Sequence, residues 1–289
     1  MLTIRIAAVA HCVMMLCPAA AAELKTPEPV PGAVQYTIRS EKLGESRKVL
    51  VYLPDTYSGE TAHSTRYPAL YLLDGHAYFD ATVGIVHHLG SPNAAVQRIP
   101  DHIVVAIVNT KRPRDMTPTK MAEGPYSVGS GGAAAFRDFL RTELLPAVDA
   151  TFRTSTQRVL VGHSLAGLFV IDTFTEQPDM FDAYIAVDPS AWWDDNLPAR
   201  KLATAHIDST RPLFIAQARA DDPNDSHTVG IARLLSELGK TKKRVRTCYH
   251  YFADETHFSV PLQGIYRGLL FVYADDKSQE CPSSGMPGG

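Results

Sequence analysis

The sequence predicts an α/β protein with a mainly parallel, doubly wound sheet and an antiparallel hairpin at its N-terminal edge. Short β-branched apolar runs recur along the chain, and helical patterns separate most of them. Strands that alternate with helices lie parallel in one sheet. The first two runs are joined without a helix, which is the pattern of a hairpin.

The predicted strands are runs with apolar residues at successive positions, as in strands buried on both faces of a sheet. After the opening hairpin "GAVQYTIRSEKLGESRKVLVYLP" they are "YPALYLLDG", "HIVVAIVNT", "RVLVG", "AYIAVDPS", "PLFIAQA" and "VRTCYHYF". The segment "AAAFRDFLRTELLPAVDATF" repeats apolar residues every three or four positions and predicts a helix. Further helices are expected after Ser164, Thr228 and Phe258.

The N-terminus has the layout of a secretory signal peptide. Arg5 precedes an apolar run from Ile6 to Leu16, and small residues follow before Glu23. The run is shorter than the roughly 20 residues that a membrane-spanning helix needs. We therefore expect a signal peptide over residues 1–22, cleavage after Ala22, no stable membrane insertion afterwards, and a periplasmic or secreted protein.

The rest of the chain is expected to form one domain over residues 23–275 and a flexible tail over residues 276–289. The 289 residues are 45% hydrophobic and 20% charged with a net charge of −3, which lacks the basic excess of a nucleic-acid-binding protein. Cleavage leaves Cys248 and Cys281. They either pair in an oxidising compartment or stay unpaired, and the sequence leaves both open.

A serine stands at the corner between a predicted strand and a predicted helix, in "GHSLAG" from Gly162 to Gly167. In a nucleophile elbow, G-x-S-x-G, glycines let the strand and helix approach while a strained turn presents the hydroxyl. Ala166 replaces the second glycine of this pattern. The strand before Ser164 and the helix after it favour an elbow over a helix-capping serine.

A base is expected after the serine, in the chain order of α/β-hydrolases. His257 lies in the loop "ADETHF" after the last predicted strand, a better position than those of His227 and His250. Its Nε2 would deprotonate Ser164.

The acid is expected in the loop after "PLFIAQA", where Asp221, Asp222 and Asp225 stand close together. Asp221 is the preferred partner for Nδ1 of His257, Asp222 is the alternative, and one carboxylate of the loop would cap the next helix.

The oxyanion needs backbone donors, one from the residue after the nucleophile and one from the loop after the third strand. These are Leu165 and, in "LDGHAYF", the N–H of His76 beyond the turn at Gly75. A plain strand-ending turn is the alternative for "DG".

Together, "ALYLLDGHAYF", "IVVAIVNTKRPRDMTPT", "RVLVGHSLAGLF", "FDAYIAVDPSAWWDD" and "DETHFSVP" resemble the esterase family of α/β-hydrolases. That family includes trilactone siderophore esterases, S-formylglutathione hydrolases and mycolyltransferases. The resemblance runs from Val34 to Tyr273 and implies an α/β-hydrolase fold with Ser164 as nucleophile, His257 as base and Asp221 at the acid position. Some siderophore esterases of this type work with a Ser–His pair alone.

Within the family, "RPRDMTPT" and "SAWWDD" are most similar to the siderophore esterases. The resemblance implies an enterobactin-like ferric catecholate trilactone as substrate, which is anionic. Cationic and aromatic contacts to it would come from Arg112, Arg114, Trp192 and Trp193. The alternatives are a structural Arg114–Asp115 ion pair and one tryptophan in the core.

The sequence therefore predicts an exported serine esterase that acts on a small-molecule ester through an acyl-enzyme, with no metal and no organic cofactor. No histidine or cysteine cluster has metal-ligand spacing, and no glycine-rich phosphate loop is present. The alternative functions are hydrolysis of feruloyl or acetyl esters or of S-formylglutathione-like thioesters, acyl transfer to an alcohol, and binding without catalysis. The oligomeric state stays open.

Overall fold

The computed structural model describes residues 33–58, 64–91, 93, 97–205, 207, 210–222, 224–240, 245–274 and 281. Its strands are β1 (Ala33–Ser40), β2 (Glu45–Tyr52), β3 (Tyr67–Leu72), β4 (Ile103–Ile107), β5 (Thr154–His163), β6 (Ala183–Val187), β7 (Leu213–Ala218) and β8 (Thr247–Phe252). Its α-helices are α1 (Gly75–Leu89), α2 (Arg112–Met116), α3 (Ala133–Phe139), α4 (Leu145–Thr151), α5 (Leu165–Glu176), α6 (Trp193–Thr204), α7 (Ser226–Lys240) and α8 (Val260–Tyr273). A π-helical turn, Leu140–Leu144, joins α3 to α4, and short 3₁₀ turns lie at Asp55–Ser58 and Pro178–Met180.

The strands form one sheet in the order β1-β2-β4-β3-β5-β6-β7-β8. β1 pairs antiparallel with β2, and β2 pairs antiparallel with β4. All pairs from β4 through β8 are parallel. The predicted fold class, a mainly parallel sheet with an antiparallel N-terminal hairpin, is confirmed. The parallel strands all end at one edge of the sheet, where ligands bind in open α/β folds.

The core lies on both faces of this sheet. Side chains of a strand alternate between faces, so Tyr71 of β3 packs in one apolar cluster while Leu72 packs in the other. The first cluster includes Phe136 of α3 and Phe169 of α5, and the second includes Leu269 of α8. Helices thus cover both faces, which explains why β3 to β7 carry continuous apolar runs.

A disulfide joins Cys248 in β8 to Cys281, with 5.4 Å between their Cα atoms. The structure therefore contains the paired form of the two cysteines. The predicted signal peptide, residues 1–22, and all of the predicted tail except Cys281 lie outside the described residues. Within the part of the chain that the structure describes, no helix is both long enough and apolar enough to cross a bilayer.

Candidate active site

Ser164 occupies a sharp corner between β5 and α5. Its backbone has φ 60° and ψ −120°, a strained conformation for a residue with a side chain. Gly162 makes the corner possible, because a Cβ there would lie 2.4 Å from the carbonyl oxygen of Ala166. Gly167 allows a second close approach, since its Cβ would lie 3.0 Å from Cα of Pro189. Ala166 is itself fully buried, so the departure from G-x-S-x-G is accommodated within the packing.

His257 reaches Ser164 from the loop between β8 and α8. Its Nε2 lies 3.1 Å from Oγ of Ser164, and its Nδ1 lies 2.7 Å from Oδ2 of Asp188. Both distances are within hydrogen-bonding reach, as proton transfer from serine requires. The structure thus brings together the predicted serine and histidine, with a carboxylate, Asp188, that is not the predicted acid.

Asp188 directly follows β6, and only 1% of the residue is exposed. Its φ is 43°, and its Oδ1 accepts a hydrogen bond from the N–H of Ala218 at 3.0 Å. Burial alone would raise the pKa of Asp188, but the neighbouring rings of His227 and His257 and the N–H of Ala218 outweigh burial and hold that pKa well below its usual range. Asp188 is therefore ionised at neutral pH and can fix the Nδ1–H tautomer of His257.

The structure corrects the predicted acid. The side chain of Asp221 is 99% exposed, and its Oδ1 lies 3.8 Å from Nη2 of Arg219. Asp222 is exposed as well. Asp225 accepts a hydrogen bond from the N–H of Thr228 at 2.7 Å and so caps α7. Asp221 is not the partner of the histidine because its loop extends into solvent, whereas the buried Asp188 occupies Nδ1 of that ring.

The two predicted oxyanion donors lie in the first turns of helices. "LDGHAYF" is not a plain loop: Gly75 begins α1 and His76 is its second residue, while Leu165 begins α5. The first N–H groups of a helix have no intrahelical acceptor and attract negative charge. Gly75 is required at its position, because a Cβ there would lie 2.9 Å from that of Ala106.

Arg112 connects the two segments that carry these donors. Its Nε and Nη2 donate to the carboxylate of Asp74 at 2.7 and 2.8 Å, and Nη2 also donates to the carbonyl oxygen of His163 at 3.2 Å. Asp74 immediately precedes α1, has φ 54°, and accepts a further hydrogen bond from Asn109 at 2.5 Å. Arg112 therefore ties the turn before α1 to the elbow.

Of the other predicted substrate contacts, two belong to the scaffold. Arg114 donates to Asp115 at 2.7 Å and to Glu45 at 2.7 Å, as in the structural alternative. Trp193 is fully buried. Trp192 is partly buried and lines the cleft above the elbow.

That cleft has a volume of about 650 Å³ and contains Ser164 and His257 in its lining. Tyr126 and Trp192 form an aromatic part of the lining, with ring centroids 6.3 Å apart, and Phe258 is 86% exposed at the same site. Among the described residues, the charged part of the lining, apart from Asp188, consists of Arg219, Asp221, Asp222 and Asp225. The cleft therefore carries an excess of negative charge.

His163, the residue before Ser164, is buried with its ring centroid 4.6 Å from that of His257. Burial lowers the pKa of His163 to about 4, so this ring is neutral at pH 7. Donor atoms of His163, Asp188 and His257 lie within 4.8 Å of one another, the spacing of a candidate metal site. Here Nδ1 of His257 bonds Asp188 and Nε2 faces Ser164, which is the arrangement of a proton relay.

Comparison with known proteins identifies several relatives. The chain is 29% identical over 233 residues to the ferri-bacillibactin esterase BesA of Bacillus subtilis, covering 73% of this chain and 80% of that protein. It is 30% identical over 181 residues to the siderophore triacetylfusarinine C esterase of Aspergillus fumigatus, covering 58% of this chain and 59% of that protein. The match thus spans less than two thirds of the fungal relative.

A solved structure agrees with these matches. The crystal structure of an IroE-like serine hydrolase from Shewanella oneidensis superposes with a TM-score of 0.76 at 30% identity, covering 83% of this chain and 80% of that one. The family model described as "Putative esterase" matches residues 40–246. That range is well over half of the chain and contains the elbow and Asp188. The chain therefore belongs to the esterase family, on an α/β-hydrolase fold.

Proposed function

We propose that this chain is an exported serine esterase that hydrolyses cyclic trilactone siderophores through an acyl-enzyme on Ser164. The observation that carries the proposal is the continuous hydrogen-bonded series from Ser164 through His257 to the buried Asp188. A strained elbow presents the serine, an adjacent base activates it, and an orienting carboxylate fixes the tautomer of that base.

In the proposed reaction, Nε2 of His257 takes the Oγ proton as Ser164 attacks an ester carbonyl. The N–H groups of His76 and Leu165 stabilise the oxyanion. The imidazolium then protonates the leaving alkoxide, and an acyl-enzyme remains. Water, deprotonated by His257, attacks the acyl group and releases a carboxylic acid. One water is consumed for each ester bond that is opened.

Export is supported by the disulfide between Cys248 and Cys281, because disulfides persist in oxidising compartments. The siderophore part of the proposal is supported by the names of the matched relatives, which are siderophore esterases of two different organisms.

Binding of the expected ferric catecholate, which is anionic, requires cationic side chains in the cleft. Arg112 and Arg114 bind carboxylates of the protein, and the cleft lining has more carboxylates than guanidinium groups. We therefore propose the trilactone ester as the recognised group, with neutral chelates preferred over highly anionic ferric catecholates.

The test is hydrolysis of neutral and anionic ferric trilactones, feruloyl esters and acetyl esters, with products identified by mass spectrometry in the presence and absence of an acceptor alcohol. Ser164→Ala and His257→Ala should each lower kcat by about 10⁴-fold or more while circular dichroism stays unchanged. Retention of a tenth of the activity by either variant contradicts the serine mechanism. Turnover of only feruloyl or acetyl esters removes the siderophore proposal, and ester exchange with the alcohol identifies an acyltransferase.

A further inference from the structure

The two oxygens of the Asp188 carboxylate have different partners. Oδ2 faces Nδ1 of His257 at 2.7 Å. Oδ1 accepts the N–H of Ala218 at 3.0 Å. Nε2 of His227 is buried 3.1 Å from the same Oδ1, but its N–H is not aligned for a regular hydrogen bond to that oxygen or to another described group. The histidine that the reaction uses is thus one of two histidines on the same buried carboxylate.

His227 is brought to this position by the packing of α7. It is the second residue of that helix, and Gly230 one turn later lets the helix approach the loop after β6, because a Cβ there would lie 2.5 Å from the backbone nitrogen of Trp192. The rings of His227 and His257 meet edge to face, with centroids 5.3 Å apart and planes at 83°. His227 therefore contacts both the carboxylate and the base.

Ala218 provides a single hydrogen-bond donor on Oδ1, and one hydrogen bond on that oxygen still lets the carboxylate rotate partly about its Cβ–Cγ bond. A second donor on Oδ1 opposes that rotation and keeps Oδ2 directed at His257. It also stabilises the charge of a carboxylate that is almost fully removed from water. Both effects favour the geometry in which Nε2 of His257 is available to Ser164.

We infer that His227 is a positioning residue for the proposed esterase reaction: a small rotation of its ring directs the Nε2–H onto Oδ1 of Asp188, 3.1 Å away, and this hydrogen bond holds Asp188 and so orients His257. This inference rests on the proposed function. It assigns no contact with the reacting ester to His227, so the loss of this side chain acts on kcat through Asp188.

The test uses three variants of the full chain with a small neutral p-nitrophenyl ester. His227→Leu removes the donor and should lower kcat by about 10- to 100-fold with KM nearly unchanged. His227→Gln keeps an N–H donor near the position of Nε2 and should restore most of the activity. His88→Leu, the same change at an exposed position of α1, should have no effect.

A double-mutant cycle separates positioning from other roles. Asp188→Asn and Asp188→Asn/His227→Leu should have the same kcat within about 2-fold, because His227 has no ionised carboxylate left to orient. Nuclear magnetic resonance of ¹⁵N-histidine-labelled protein should show the Nδ1 proton of His257 strongly downfield in wild type and shifted or broadened in His227→Leu.

Several results overturn the inference. A rise in KM with unchanged kcat in His227→Leu makes His227 a substrate contact. Equal losses in His227→Leu and His227→Gln, or additive losses in the double variant, also overturn it. If His227→Leu does not fold, His227→Ala, which also lacks the donor, replaces it in the comparison with His227→Gln and in the double-mutant cycle. Failure of the proposed function is distinct, because Ser164→Ala would then keep wild-type activity.

Discussion

The loops after β6 and β7 both carry carboxylates at the carboxyl edge of the sheet, in opposite environments. After β6, Asp188 is buried at a positive φ and bonded to Ala218 and His257. After β7, Asp221 and Asp222 are exposed to solvent. A buried, hydrogen-bonded carboxylate can orient a histidine, whereas an exposed one acts mainly through its long-range field.

The end of β3 also carries a buried, hydrogen-bonded aspartate at a positive φ, as the end of β6 does. Asp74, just after β3, is 3% exposed, has φ 54° and is clamped by Arg112. Strained backbone that is held by many contacts is common at functional sites. Asp74 and Asp188 therefore both order backbone or side chains around Ser164, and the loop after β7 is left to influence the substrate.

The largest expected effect compares Asp188, after β6, with Asp221, after β7. Asp188→Asn should lower kcat by about 10³- to 10⁴-fold, because an amide favours the wrong tautomer of His257 and cannot stabilise its cation. Asp221→Asn should change kcat by less than about 2-fold. Steady-state kinetics with a p-nitrophenyl ester measures both, with thermal melts as the folding control. Comparable losses in the two variants would erase the distinction between the loops.

The next effect concerns the clamp on Asp74. Arg112→Gln should lower kcat by about 10- to 100-fold on neutral and anionic esters alike, because the turn that presents His76 loses its tie to the elbow. Arg114→Gln should affect stability but not kcat, since its partners Glu45 and Asp115 lie in the scaffold. If Arg112→Gln lowered activity on anionic esters only, Arg112 would instead be a direct contact of the substrate.

Much of this arrangement is predictable from the sequence, and the wrong prediction of the acid has a physical reason. Apolar runs locate the strands, and chain order locates Ser164 and His257. The predicted acid, Asp221, is wrong because Asp188 and Asp221 each follow a strand end, so chain order alone does not separate them. Which one is buried depends on how α7 and the loop after β6 pack, which is tertiary information. The "AVDPS" segment was a usable signal, since it places an aspartate directly at the end of the strand beside the elbow.

A smaller effect is the pH dependence of the free energy of unfolding, to which buried histidines should contribute and the exposed Asp221 should not. Burial lowers the pKa of His163 and of His102 to about 4. The unfolded chain therefore binds protons from about pH 6.5 downward while the native state does not, so each histidine should cost about 2 to 3 kcal/mol of unfolding free energy by pH 4.5. The lowered pKa of Asp188 acts in a different window, because its contribution is present above about pH 4 and is lost below it.

Urea unfolding at pH 7.5 and 4.5 measures this dependence. His163→Gln and His102→Gln should each flatten it, and Asp221→Asn should leave it unchanged. A wild-type free energy that is equal at the two pH values would mean that neither buried ring resists protonation.

The smallest effect tests whether the exposed loop after β7 influences the binding of anionic substrates. Asp221 and Asp222 line the cleft, so their charge should disfavour an anionic chelate. Asp221→Asn/Asp222→Asn should lower KM for a ferric catecholate trilactone by about 3- to 10-fold at low salt and by less at 0.5 M salt, because added ions screen exposed charges. KM for a neutral p-nitrophenyl ester should stay constant. The matched control is Asp138→Asn/Glu237→Gln, which changes net charge equally outside the cleft lining. An equal KM decrease in this control would assign the effect to net charge, and no decrease in either variant would leave the loop without a role in substrate selection.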